Sequence, residues 1–232
     1  MTRKLNLAGL CAFVLLLSIC SLGSAQDGFK KLFNGKDLTG WKGNPKLWSV
    51  EDGAITGITT AEEPLKFNTF LIWEGKVADF ELELDFKISA QGNSGIQYRS
   101  EVKNADDFIV GGYQAEIDAT MKFAGINYEE RGRGILCQRG QRVTIDDAGK
   151  KKAESFGDAK ALGDKINKGE WNHYRVVAKG NKLSHYINDT LMSEVIDNQS
   201  SRSSQSGVLA FQIHQGPPMK IQFKDVMLKE LN

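Results

Sequence analysis

The run Phe80 to Ile88, FELELDFKI, constrains the chain more than any other stretch. Phe80, Leu82, Leu84, Phe86 and Ile88 alternate with Glu81, Glu83, Asp85 and Lys87. Successive side chains of a strand point to opposite faces, whereas a helix would scatter these apolar positions around its circumference. The segment 79–89 therefore reads as a strand with one face in a core and a charged face toward solvent. Such a strand needs neighbours on either side and a second layer over its apolar face.

The rest of the sequence supplies both. KLFNGKDLTGW holds Asn-Gly and Thr-Gly turns, and LWSVEDGAITGI reads as a hairpin turning at Asp52-Gly53. The segment 69–73 is a short apolar run of the buried-strand type. Two further runs, 134–138 and 141–145, are expected to form a hairpin. The polar stretch 148–168 is expected to be an excursion with room for one short helix. WNHYRVVA, KLSHYIND and LMSEVI follow as strands, and GVLAFQIHQ and MKIQFKDVMLKEL close the chain after a serine-rich loop. No long helical period, internal repeat or second domain is visible. Many short strands with regular turn signals predict an all-β, two-sheet jelly-roll sandwich.

Before this pattern begins, Arg3 and Lys4 precede an apolar run from Leu7 to Ile19, followed by Gly23-Ser24-Ala25. That is the layout of a secretory signal, with an apolar core too short for a comfortable membrane span. Residues 1–25 are expected to be a signal peptide, and 26–232 a single exported domain, periplasmic or secreted. Removing Arg3 and Lys4 from 30 basic residues leaves 28 against 29 acidic ones. This balance gives no footprint for nucleic acid or, after cleavage, for a membrane surface. Of the three cysteines, Cys11 and Cys20 leave with the signal. Cys137 then has no disulfide partner and lies in an apolar run, where an inert buried thiol is the expectation.

Three strand-like runs put polar groups on one face and apolar groups on the other. Gln97 and Arg99 share a parity in GNSGIQYRS; Gln114, Glu116 and Asp118 share one in GGYQAEID; Gln212 and His214 share one in VLAFQIHQ. If these strands belong to one sheet, they line one hydrogen-bonding surface, which suits a small carbohydrate. Tyr113 and some of Trp41, Trp48 and Trp73 would stack on sugar rings. For any single residue, a solvated outer face is a competing reading at roughly even odds. For Glu81, Glu83 and Asp85 it is the preferred one.

Among three histidines, His214 is the candidate proton carrier, since imidazole titrates near neutrality. His173 and His185 sit among other polar residues and read as structural or exposed. No spacing supports a histidine zinc site. Glu116 and Asp118 form a carboxylate pair two residues apart on a strand. Jelly-roll glycanases carry a third acid two or three residues later, where this chain has Thr120 and Met121. Glu129 or Glu130 would have to replace it. Ordinary paired-acid hydrolysis is thus disfavoured, which leaves three roles open: binding a sugar hydroxyl, holding Arg99, or coordinating a hard cation such as calcium. The loop Arg131-Gly132-Arg133-Gly134 reads as a turn, with ligand clamping the less favoured role.

FNGKDLTGW, WSVEDGAI, NSGIQYRS, GYQAEID, GEWNHYRV and the late QIHQ, in that order, resemble the 3-keto-disaccharide hydrolase domain family. The resemblance covers roughly 29–231 and is most specific at Asn93-Ser94-Gly95-Ile96 and 113–118. It implies a concanavalin A-like lectin/glucanase sandwich acting on glycosides oxidised at C3, with a divalent cation such as calcium left open. A C3 ketone acidifies the C2 hydrogen; a base removes it, the C1 substituent leaves, and water adds to the resulting enone. On this expectation His214 is the C2 base. Arg99, helped by Gln97 or a cation at Glu116 and Asp118, stabilises the enolate. Asn93, Gln97, Tyr113, Gln114, Glu116, Asp118 and Gln212 bind the substrate. The alternative from another class is a non-catalytic carbohydrate-binding module on the same sandwich.

Overall fold

The computed structural model describes residues 28–231; the expected signal peptide lies outside the described residues. In chain order the strands are β1 (Lys30–Lys31), β2 (Trp41–Lys42), β3 (Trp48–Glu51), β4 (Ala54–Ile58), β5 (Thr69–Trp73) and β6 (Phe80–Ile88). Next come β7 (Asn93–Asn104), β8 (Ile109–Asp118), β9 (Asn127–Glu130), β10 (Gly134–Cys137), β11 (Gln141–Ile145) and β12 (Lys151–Ser155). A five-residue helix α1 (Ala159–Gly163) precedes β13 (Asn172–Lys179), β14 (Lys182–Ile187), β15 (Thr190–Asp197), β16 (Val208–Ile213) and β17 (Lys220–Glu230).

These strands form two sheets. The larger runs β12-β11-β15-β14-β13-β6-β17-β4-β3 with β1 beside β17, and the smaller runs β10-β9-β8-β7-β16-β5-β2. Every apolar residue of the β6 alternation is buried between them, while Glu81, Glu83, Asp85 and Lys87 are partly exposed. The charged face is laced by ion pairs, Arg175 to Glu81 at 2.9 Å and His173 to Asp85 at 3.1 Å. From the small sheet, Ile96, Tyr98, Tyr113, Ala115, Ile117 and Phe211 enter the same core. Phe211 stacks on Phe223 of the large sheet at 4.1 Å and on Trp41 at 4.9 Å.

The hairpin at Asp52-Gly53 is present, and both turn residues take positive φ, as a two-residue β-turn requires. The expected hairpin of 134–138 with 141–145 is not. β10 pairs with β9 in the small sheet, whereas β11 pairs parallel with β15 in the large one. The turn between them carries the chain from one layer to the other, so the two runs have their polar alternation but not each other. The excursion 148–168 contains α1, capped by Asp158 accepting the Ala161 N–H, and also β12. All residues of β12 are exposed at the sheet edge, where the charges of Lys152 and Glu154 discourage further pairing.

Candidate active site

The polar parities do converge on the outer, front face of the small sheet. Asn93, Gly95 and Gln97 of β7 lie opposite Asp118, Glu116 and Gln114 of β8. Gln212 in β16 continues the row toward β5, and His214 follows β16 directly. A cleft of about 720 Å³ opens at the Asn93–Asp118 end. Gln114, Glu116 and Asp118 form its floor, with Tyr128, Glu130 and Arg131 along one wall and Phe67, Asn68, His214 and Gln215 along the other.

Glu116 is buried in this floor. Its carboxylate accepts from Asn93 Nδ2 at 2.7 Å and from Gln114 Nε2 at 2.6 Å. Both bonds favour the ionised form, yet burial outweighs them and, with Asp118 and Glu130 nearby, raises its pKa to about 7. Gln114 is itself fixed, because its Oε1 accepts from Gln97 Nε2 at 2.6 Å and from Gln212 Nε2 at 3.1 Å. This geometry explains the glycine of the NSGIQ motif. A Cβ at Gly95 would sit 2.5 Å from the Cγ and Cδ of Gln114, so only glycine lets that side chain lie across β7.

Asp118 plays a different part. Its oxygens accept from the Thr120 N–H at 2.9 Å, the Thr120 hydroxyl at 2.8 Å and the Phe123 N–H at 2.8 Å. It therefore folds the loop that carries Phe123 into the cleft. Each carboxylate oxygen of Glu116 and Asp118 accepts from at least one N–H or O–H donor. Among the described residues no group of three His, Cys, Asp or Glu could hold a metal ion.

Two expected site residues are elsewhere. Arg99 shares parity with Gln97 on paper, but the register of β7 against β8 shifts between Tyr98 and Glu101, and Arg99 takes φ +46°. The bulge aims Arg99 away from the cleft. Its guanidinium is buried, donating to the Ala78 carbonyl at 2.6 Å, the Gly180 carbonyl at 2.7 Å and Asp79 at 2.6 Å. Tyr113 faces inward, stacks on Tyr98 and donates its hydroxyl to Asp197 at 2.6 Å. Trp41 and Trp48 are in the core and Trp73 lies under Lys30, so the rings at the cleft are Phe67, Phe123 and Tyr128 instead. Gln97 and Gln212 are fully buried behind Gln114 and act on the cleft through it.

Sequence parity missed Asn68 and Tyr128. Asn68 donates to Glu130 at 3.1 Å and accepts the Gln215 N–H at 2.9 Å, tying both walls of the cleft together. It sits one residue before β5, where no alternation exists to mark it. Glu130, one of two acids considered for a third carboxylate, does line the cleft. Glu129 instead faces Arg133 at 2.8 Å, and Arg133 also holds Asp197 at 2.6 Å. Cys137 is buried and donates to the Gln141 carbonyl; burial raises its thiol to about 11, as expected of an inert cysteine.

The profile of the 3-keto-alpha-glucoside-1,2-lyase-like domain matches residues 28–229. The chain belongs to this family. A curated relative, the 3-keto-disaccharide hydrolase of Bacteroides thetaiotaomicron, is 36% identical over 88 residues. That match spans 35% of this chain and 30% of the relative's length. A crystal structure from Parabacteroides distasonis, described as a glycosyl hydrolase, is 26% identical with a TM-score of 0.57, covering 88% of this chain and 94% of that one. A carbohydrate binding module of Bacillus subtilis has a TM-score of 0.55 at 16% identity, covering 82% of this chain and 96% of the module. The latter likeness is one of fold.

Proposed function

We propose that the chain is an exported enzyme that cleaves 3-keto-glycosides by elimination across C1 and C2, followed by hydration. The observation that carries this reading is Glu116, a buried carboxyl whose pKa is raised to about 7 on the floor of a cleft that His214 also lines. Such a group holds its proton near neutrality and can release it to a departing oxygen. Family membership and the named relative support the substrate class.

In this mechanism His214 removes the C2 proton, and the electron pair moves onto the C3 oxygen. Asn68 and Asn93, whose amides each donate one N–H, to Glu130 and Glu116 respectively, offer the second N–H to that oxygen in the role expected of Arg99. The enolate then re-forms the ketone while the C1–O bond breaks, and Glu116 protonates the leaving oxygen. Water adds to C1 of the enone; its proton returns to Glu116, and His214 returns a proton to C2. Both residues end as they began.

Leaving-group dependence tests the roles. Replacing Glu116 by Gln should slow cleavage of 3-keto-trehalose by about 10²–10³-fold. A 3-keto-glucoside of nitrophenol, whose oxygen needs no proton to depart, should be affected far less. His214→Ala should slow both alike. Equal loss on both substrates for Glu116→Gln would remove it as the acid. A binding-only module would cleave neither and would tolerate both substitutions.

A further inference from the structure

The front face carries a second cleft, of about 760 Å³, toward the opposite end of β7 and β8. Its floor is bare backbone. A Cβ at Gly112 would lie 2.5 Å from Ser100 Oγ, and one at Gly207 would lie 2.3 Å from the Ser100 carbonyl oxygen. Around this floor stand four exposed cations, Lys76, Lys103, Arg131 and Arg202. Two of the cleft's acids are charge-paired, Glu101 with Lys103 and Glu129 with Arg133, while Glu130 accepts from the neutral amide of Asn68 and so sets one acid against three other cations. The side chains of Lys76, Arg131 and Arg202 make no hydrogen bond or ion pair among the described residues.

Glu130 and Arg131 line both clefts, so the two adjoin along the sheet. Arg131 stands at the tip of the β9–β10 turn with φ +55°, and Arg133 anchors that turn to Asp197. Beneath the junction, Ser100 donates to Gln97, Gln97 to Gln114 and Gln114 to Glu116, at 2.7, 2.6 and 2.6 Å. The floor of the cationic cleft is thereby tied to the acid of the other.

We propose that the second cleft holds an anionic aglycone, a carboxylate or sulfate bound by Lys76, Arg131 and Arg202 while the oxidised ring lies over Glu116 and His214. This rests on the reaction proposed above. Three unpaired cations around one concavity repel each other and focus a positive field there, and guanidinium forks match planar or tetrahedral oxyanions. A neutral aglycone would leave that field unanswered.

The test is calorimetric binding to the His214→Ala protein, which lacks the C2 base and so does not turn either probe over. The probes are para-carboxyphenyl and para-carbamoylphenyl 3-keto-glucosides, alike in shape and different in charge. The carboxylate should bind about tenfold more tightly at low salt, with the preference shrinking as salt rises. Adding Lys76→Ala and Arg202→Ala should shrink the preference, with Arg131 alone left to hold the anion, and leave affinity for the amide unchanged. Equal binding of the two probes, binding of neither, or a preference undiminished by the double substitution would overturn the proposal. A preference seen in a protein that, as wild type, cleaves neither glycoside would instead overturn the reaction and leave the anion cleft standing.

Discussion

At the scale of single residues, the site depends on a carboxyl that burial makes hard to ionise. Glu116 titrates at about 7, and the mechanism needs it protonated. The rate of 3-keto-trehalose cleavage should therefore fall as pH rises above about 7, and a pH–rate profile of kcat/KM checks this. That limb should be absent for the nitrophenyl substrate. Gly95 gives a second prediction at this scale. Because a Cβ there would strike Gln114 at 2.5 Å, Gly95→Ala should dislodge the donor that holds Glu116 and lower activity at least tenfold. Circular dichroism should report an intact fold. Wild-type activity in that variant would show that Gln114 does not position the acid.

At the scale of elements, β7 is both the most informative strand and the one that misleads. Its alternation from Asn93 to Gln97 is regular, and counting by twos places those side chains on the front face. At Arg99 the count fails, because a bulge inserts residues that leave no trace in the hydrophobic pattern. Arg99 instead ties β7 to the entry of β6 and to the β13–β14 turn through Asp79, Ala78 and Gly180. Arg99→Ala would strip Asp79 of its charged partner and two carbonyls of a donor, at a cost of about 3 kcal/mol. Denaturant melts should show that loss, while activity per folded molecule at low temperature stays near wild type. A catalytic role would give the opposite pair of results. Other gaps have similar causes. β6 was legible because nine residues alternate without interruption; Asn68 and Gln215 were not, because loop residues have no parity. β10 and β11 read as partners because a turn that changes sheets resembles a hairpin turn in sequence.

At the scale of the whole molecule, the two sheets are joined by polar groups as well as by the aromatic core. Tyr98 of the small sheet meets His185 of the large one at 2.9 Å, and His185 Nδ1 faces the Ile126 carbonyl at 3.2 Å. Burial lowers the His185 pKa to about 3. The unfolded chain takes up this proton near 6.5 and the folded one does not, so stability is full above about 6.5 and falls as pH drops toward 3. The linked loss is on the order of 4 kcal/mol at its greatest. His185→Gln should unfold more easily at pH 7 yet show a flatter decline between pH 6.5 and 4, measured by urea denaturation. An equal slope in both proteins would place the acid sensitivity elsewhere. The same interlayer core carries the small sheet, whose front holds Glu116 and, just after β16, His214. The proposed reaction has this front remove a proton from C2. It is tested most directly by cleaving 3-keto-trehalose in deuterium oxide and reading C2 of the released 3-ketoglucose by mass spectrometry at early times, against enzyme-free sugar. The account predicts one deuterium at C2 per cleavage event, lost together with turnover in His214→Ala. Cleavage that leaves the original hydrogen at C2 would contradict it.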